Sequence, residues 1–270
     1  MEGGVSMYKI GFVGCGKMGG ALLEAFITGG VDADDVLVCD AREEALAPYR
    51  KRGIAVTDSP ADVAVCSRTI FVAVKPQDFD AALVSMSHRL GPSKLLVSIA
   101  AGKTLARIRG LVGDGTRIIR VMPNLPALVG QGMIAYASDA SAKPADARLV
   151  AKLLSAAGSV IKLEEKHFDA VTALSGSGPA FFAYLMSAMA SAGEKLGLPK
   201  DAAATLANET MLGTAVYLKK TGQAPDDFIK AVCSPKGTTE AGMKKLTASS
   251  AASALDKTLA AAARRSAELC

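Results

Sequence analysis

The stretch from Tyr8 to Gly30, YKIGFVGCGKMGGALLEAFITGG, constrains the fold of this chain more than any other. A short apolar run, Ile10 to Val13, breaks on Gly14-Cys15-Gly16-Lys17-Met18-Gly19 and resumes as a helical pattern through Leu22, Leu23 and Phe26. The order is strand, tight glycine turn, helix. In a G-x-G-x-x-G turn Gly14 lets the chain reverse, Gly16 lets backbone approach a pyrophosphate, and Gly19 lets helix pack on strand. The helix start, with Lys17 and Met18 in its first turn, offers free N–H groups and partial positive charge to phosphates. A bound dinucleotide is the expectation. The spacing alone would equally serve a connection built only for helix–sheet packing.

Apolar runs continue at Val36–Cys39, Ile54–Thr57, Ile70–Val74, Leu95–Ile99, Ile118–Met122, Met133–Tyr136 and Val160–Leu163, alternating with helical patterns. Several are nearly continuous in Val, Ile and Leu, as parallel strands covered on both faces require. The alternation reads as an α/β fold with an N-terminal Rossmann-type doubly wound sheet, assigned to residues 1–165. The last runs lie past the six strands of the usual order and are expected to extend the sheet, antiparallel at an edge.

After Lys166 the texture changes to Ala, Met and Leu at helical spacing: Pro179–Leu196, Asp201–Lys219, Asp226–Val232, Thr239–Leu246 and Ala251–Leu269, with sharp punctuation between them. Residues 166–270 are therefore expected to form an all-helical dimerisation domain. These helices carry few charges over long stretches, and a homodimer that buries them is the natural resolution. Packing against the sheet domain is the alternative. Ala170 to Gly193 contains no charged residue, yet Ser175-Gly176-Ser177-Gly178-Pro179 is expected to break any helix there, and Ala180–Gly193 is too short to cross a bilayer.

A net charge of +5, dispersed over 270 residues without a basic block, shows no nucleic-acid footprint. Cys15, Cys39, Cys66, Cys233 and Cys270 follow no C-x-x-C spacing, and no metal site is expected. An odd, unpatterned set argues for a reducing compartment. The start MEGGVSMYK lacks a secretory pattern, so a cytoplasmic location is expected, with Met7 as an alternative start.

Two positions compete over the cofactor. Asp40, at the end of the second strand, is where a Rossmann acid meets the ribose hydroxyls and would favour NAD. Arg42 would instead pair with the 2′-phosphate of NADP. Both readings stand at this level. Val74, Lys75 and Pro76 leave the fourth strand, where the proline stiffens the turn and holds Lys75 at the crevice. Asn124, after the sixth strand, offers an amide donor and acceptor to the same crevice.

Neither His88 nor His167 has a carboxylate-flanked setting, and no positioned base for alcohol oxidation is evident. A C=N reductase needs less, because an iminium can arrive protonated and proximity supplies most of the catalysis. Val232 to Glu240 reads as a loop delivering N–H groups, serine and threonines at the start of a helix, a carboxylate-sized anion site. Simple N-capping with Glu240 in the first turn is the alternative. Ser177 likewise is placed to cap a helix that begins at Gly178 or Pro179.

Taken together, Gly14–Gly19, Ala73-Val74-Lys75-Pro76, Met122-Pro123-Asn124, Ser175–Phe181 and Ser234–Thr239 resemble pyrroline-5-carboxylate reductase in order and interval across essentially the whole chain. The resemblance implies reduction of 1-pyrroline-5-carboxylate to L-proline with NADPH or NADH. It implies an interlocked homodimer, often assembled into a pentamer of dimers. It also implies that the Ser234–Thr239 loop comes from the neighbouring subunit, that Ser177, Ser234, Gly237, Thr238 and Thr239 hold the substrate, and that Thr239 meets its nitrogen. By the same resemblance Val74, Lys75 and Pro76 touch the cofactor. Three departures stand out. Lys236-Gly237 replaces the usual Gly-Gly, Leu125 replaces a common threonine, and a frequent asparagine before the fourth strand has no counterpart unless it is Ser59. A β-hydroxyacid dehydrogenase-like enzyme would need a lysine base early in the helical domain, where only Lys195 follows Gly178. A catalytically silent NADP-binding sensor would bind cofactor without turnover.

Overall fold

The computed structural model describes residues 7–269. Cys270 and the residues before Met7 lie outside the described residues.

Eight strands form one sheet: β1 (Tyr8–Val13), β2 (Val36–Cys39), β3 (Ala55–Thr57), β4 (Ser67–Val72), β5 (Leu95–Ser98), β6 (Arg117–Met122), β7 (Gly132–Ser138) and β8 (Gly158–Lys162). Their order is β3-β2-β1-β4-β5-β6-β7-β8. The first six are parallel, and β7 runs antiparallel to β6. β8 pairs parallel with β7, so the added pair reverses together. The helices are α1 (Lys17–Thr28), α2 (Glu43–Lys51), α3 (Pro60–Cys66), α4 (Pro76–Ser87), α5 (Leu105–Val112), α6 (Pro144–Leu154) and the short α7 (Phe168–Val171). Beyond them come α8 (Gly178–Lys195), α9 (Lys200–Thr221), α10 (Pro225–Val232), α11 (Thr238–Thr247) and α12 (Ala251–Glu268).

Strand alternation feeds two cores, one on each face of the sheet. Ile10 and Phe12 point to one, where Leu22, Leu23 and Phe26 of α1 meet them. Val13 and Leu37 point to the other, with Phe79, Leu83 and Met86 of α4. Phe12, Phe26 and Phe71 form an aromatic trio, Phe12 stacked on Phe71 at 5.0 Å and Phe26 edge-on to Phe71 at 5.1 Å. Burying each such ring contributes about 1.5–3 kcal/mol, enough to fix the angle at which α1 leaves the glycine turn.

The described residues divide into two compact units, 7–177 with 262–269, and 178–261. This differs from the expected division at 165/166. Residues 165–177 stay with the sheet because they cover its end: Phe168 is buried, and the Arg120 guanidinium lies 4.7 Å from its ring while donating to Glu165 Oε1 at 2.8 Å. The same Glu165 oxygen accepts the Leu105 N–H at the start of α5. The last turn of α12 also belongs to this unit, where the Ser266 hydroxyl donates to Asp169 at 2.7 Å.

The expected break at Ser175–Pro179 falls at Ser177, between a π-helical turn and α8. Thr172–Gly176 forms a π-helical turn, and the Ser177 N–H donates to the Thr172 carbonyl at 2.8 Å. The wider turn takes in Gly176, and Gly178 opens α8. Ser177 accordingly has helical backbone (φ −87°, ψ −25°) and not the extended geometry of an N-cap. Among the described residues no helix is long and apolar enough to cross a membrane.

Candidate active site

The chain runs outward from β1 through β2 to β3 and then returns by α3, on the face opposite α1, to place β4 on the other side of β1, so a crevice opens beyond the carboxyl ends of β1 and β4, the switch point of the strand order. Gly14 stands there with φ +97°, and a Cβ on it would lie 2.7 Å from the backbone of Ala73 and Val74. Gly19 is tighter still, since its Cβ would meet the Gly14 carbonyl oxygen at 2.2 Å. Gly16 is the opposite case. It is the N-cap of α1 with nothing within 4 Å of a Cβ, so its outer face is free for a ligand. Each glycine occupies the position its spacing assigns, and the first-turn N–H groups of Lys17, Met18 and Gly19 lack intrahelical partners.

A cavity of about 400 Å³ follows the crevice, lined by Gly14, Gly16, Asp40, Arg42, Val74 and Lys75 among others. Lys75 is the N-cap of α4 and Pro76 its first residue. A larger hollow of about 1040 Å³ on the outer side of α1 shares Gly16 and Arg42 with it and continues past Lys17 and Tyr49. The two hollows flank the glycine loop. Asp58 and Asp78 also line the crevice, and no motif pointed to either.

Asp40 is buried and fully engaged. It accepts the Cys15 N–H at 2.7 Å, the Arg42 N–H at 3.0 Å and Arg42 Nε at 3.1 Å. Burial alone would raise its pKa, but the hydrogen bonds from the Arg42 side chain and from the Cys15 and Arg42 backbone win and hold it below the usual carboxylate value. The competition between Asp40 and Arg42 over the cofactor thus resolves into a pair. The acid ties the glycine loop to the end of β2 and at the same time aims an exposed guanidinium along the crevice. The neighbouring thiols are inert: burial, reinforced by the Asp40 charge, pushes Cys39 up to about 12 and raises Cys15 as well.

Asn124 stands outside this set. Its Nδ2 donates to the Ser175 carbonyl at 3.1 Å and its Oδ1 accepts the Met133 N–H at 2.9 Å. These bonds pin the π turn to β7. Leu125 after it is exposed, and Ser59 caps α3 by accepting the Asp62 N–H.

In the second unit the Ser234–Thr239 segment joins α10 to α11. The Gly237 N–H donates to the Ser234 carbonyl at 3.0 Å across Pro235 and Lys236. Lys236 has φ +60°, so proline followed by a left-handed residue gives the arrangement of a type II turn. Gly237 is the N-cap of α11, and a Cβ on it would lie 2.4 Å from Ser234 Oγ. Thr238, Thr239 and Glu240 occupy the first turn, where N–H groups point out of the helix unpaired. Ser234, Gly237, Thr238 and Thr239 are thereby gathered in one bend. Ser177 belongs to the other unit.

Residues 165–269 match the family model described as pyrroline-5-carboxylate reductase dimerisation, and residues 9–102 match NADP oxidoreductase coenzyme F420-dependent. A pyrroline-5-carboxylate reductase of Arabidopsis thaliana is 37% identical over 97% of this chain and 95% of that protein. The solved pyrroline-5-carboxylate reductase from Coxiella burnetii matches with a TM-score of 0.93 at 30% identity, covering 98% of this chain and 99% of that one. The Plasmodium falciparum pyrroline carboxylate reductase, solved with NADP bound, gives 0.84 at 28% identity over the same shares.

Asp40→Asn keeps the shape and removes the charge. Because the folded-state carboxyl titrates below its ordinary value, its stabilisation is complete above about pH 4 and is lost as pH falls through the folded pKa. The variant is expected to be about 1–2 kcal/mol less stable than the parent at pH 7, with the gap closing toward pH 2 in denaturant titrations. A gap unchanged at low pH would mean that the charge does not hold the loop.

Proposed function

We propose the following division of labour for a chain that belongs to the pyrroline-5-carboxylate reductase family and reduces 1-pyrroline-5-carboxylate to L-proline with NAD(P)H. The sheet unit holds the dinucleotide and the bend before α11 holds the substrate. When bound, the reduced nicotinamide supplies the hydride, which goes to the ring carbon of the C=N bond while the nitrogen takes or already carries a proton.

The residues of the chain supply position and charge. Gly14, Gly16 and Gly19 let the start of α1 face the pyrophosphate, and the N–H groups of Lys17 and Met18 bind its oxygens. Val74, Lys75 and Pro76 form the opposite wall, with Lys75 toward the ribose and phosphates. Arg42, steadied by Asp40, meets the adenosine ribose, which favours NADPH while leaving NADH usable. Asn124 shapes the pocket from behind through the π turn that carries Ser177.

At the other end the substrate carboxylate is held by the Thr238 and Thr239 N–H groups and the hydroxyls of Ser234 and Ser177, with Gly237 keeping the bend tight. Thr239 places its hydroxyl at the ring nitrogen. The observation that supports this most is the bend itself, in which the first-turn N–H groups of α11, two threonines and a serine converge within six residues of chain. No thiol or histidine base is required, in keeping with the raised thiols of Cys15 and Cys39.

The chain carries a dimerisation domain and so works as an oligomer. We take the unit to be a homodimer, assembled further as a pentamer of dimers, in which the Ser234–Thr239 bend serves the partner's cradle. Exposed Phe182, Tyr184, Met189 and Leu212 on the helical unit support burial against another copy. Free thiols at Cys15, Cys39, Cys66 and Cys233 suit the reducing cytoplasm.

Thr239→Ala is expected to lower turnover by about 10²–10⁴, followed as loss of nicotinamide absorbance. Activity within about threefold of the parent would remove Thr239 from the reacting centre. Arg42→Ala should lower kcat/KM with NADPH by at least about tenfold while leaving the NADH value nearly unchanged. Equal losses with both cofactors would show that Arg42 does not read the 2′-phosphate.

A further inference from the structure

Lys236 is the only non-glycine residue with positive φ among the described residues. The left-handed conformation strains an L side chain, and glycine escapes that strain. Something must hold Lys236 there. Its N–H, one residue before the N-cap, donates at 2.5 Å to Oε2 of Glu240, the third residue of α11. This is a charge-assisted bond that bridges the bend end to end. The Gly237 N–H is already spent on the Ser234 carbonyl. With both N–H groups of the turn occupied inside the protein, those of Thr238 and Thr239 remain for a ligand.

We propose that Glu240 is a positioning residue for substrate binding, and that its carboxylate compensates for a lysine in a turn position made for glycine. It fixes the bend that offers Thr238 and Thr239 to the imino-acid carboxylate and touches no reacting atom. The pair is coupled. A glycine at position 236 adopts the turn unaided and needs no clamp, whereas a lysine without the clamp leaves the left-handed state and turns the bend away from the ligand. The inference rests on the assignment of the Ser234–Thr239 bend as the substrate site.

The test is a cycle of Glu240→Ala, Glu240→Gln, Lys236→Gly and the Lys236→Gly/Glu240→Ala double variant. Each is assayed in the full-length enzyme with 1-pyrroline-5-carboxylate and NADPH, and folding is checked by thermal melting. Glu240→Ala is expected to raise KM for the imine about tenfold with kcat and the NADPH KM within about twofold, the loss of one hydrogen bond to a charged group. Glu240→Gln, which keeps an acceptor oxygen without the charge, should restore most of the affinity. A helix-dipole role would not be rescued this way. In the Lys236→Gly background the alanine change should raise KM by no more than about threefold. An alanine effect of equal size in both backgrounds, or no alanine effect beside the parent lysine, overturns the proposal. Gly237→Ala separates the two levels, because its Cβ would strike Ser234. If it raises KM while Glu240→Ala does not, the clamp fails and the substrate site stands. If neither variant alters KM, the site assignment fails and the clamp falls with it.

Discussion

Backbone lies on backbone where the first strand ends. Gly14 sits against Ala73 and Val74, and Gly19 sits against the Gly14 carbonyl, at distances that leave no room for a side chain. These two contacts bring the amino end of α1 to the gap between β1 and β4, the one place in this sheet where the strands' carboxyl ends part. Asp40 then locks the loop by accepting the Cys15 N–H. The positive end of α1, the exposed face of Gly16 and the guanidinium of Arg42 come to line one crevice only because that packing is so close. Extra bulk at Gly14 or Gly19 would move the helix end away from any phosphate placed there.

Much of this was legible in the chain. Runs rich in Val, Ile and Leu marked the strands to within a few residues, because strands buried on both faces tolerate little else. The helices of the second unit were legible from their punctuation. What escaped was of another kind. Ser175–Pro179 carries every sign of a helix breaker, but nothing in it announces that the turn leading into it is π-helical and bonded by Asn124 at the Ser175 carbonyl. The residues after Lys166 look like their helical neighbours, and only packing shows that Phe168 lies under Arg120.

The site was legible in its motifs and illegible in its side-chain partners. Asp40 and Arg42 looked like competing answers to one question, and only geometry shows them bonded to each other. Asp58 and Asp78 reach the crevice from separate loops, with no spacing to announce them. Lys236 was visible as a departure from Gly-Gly, but its positive φ and the reach of Glu240 across the bend are properties of the folded turn. Sequence spacing reports which backbone shapes are permitted. It is silent on which charged group a given N–H will choose.

Hydride transfer to an imine asks a protein chiefly for position, and the glycine loop and the Ser234–Thr239 bend lie in different units of the chain. The account holds that one protomer's bend completes its partner's cradle, and mixing two inactive variants tests this most directly. Gly16→Asp puts a carboxylate at the proposed pyrophosphate site without crowding the fold, and Thr239→Ala removes the proposed contact to the substrate nitrogen. Unfolded together and co-refolded, the two should regain activity, since a mixed dimer contains one site with an intact cradle and an intact bend. Mixed dimers that form, as seen with differently tagged protomers, yet remain as inactive as either parent would contradict the account.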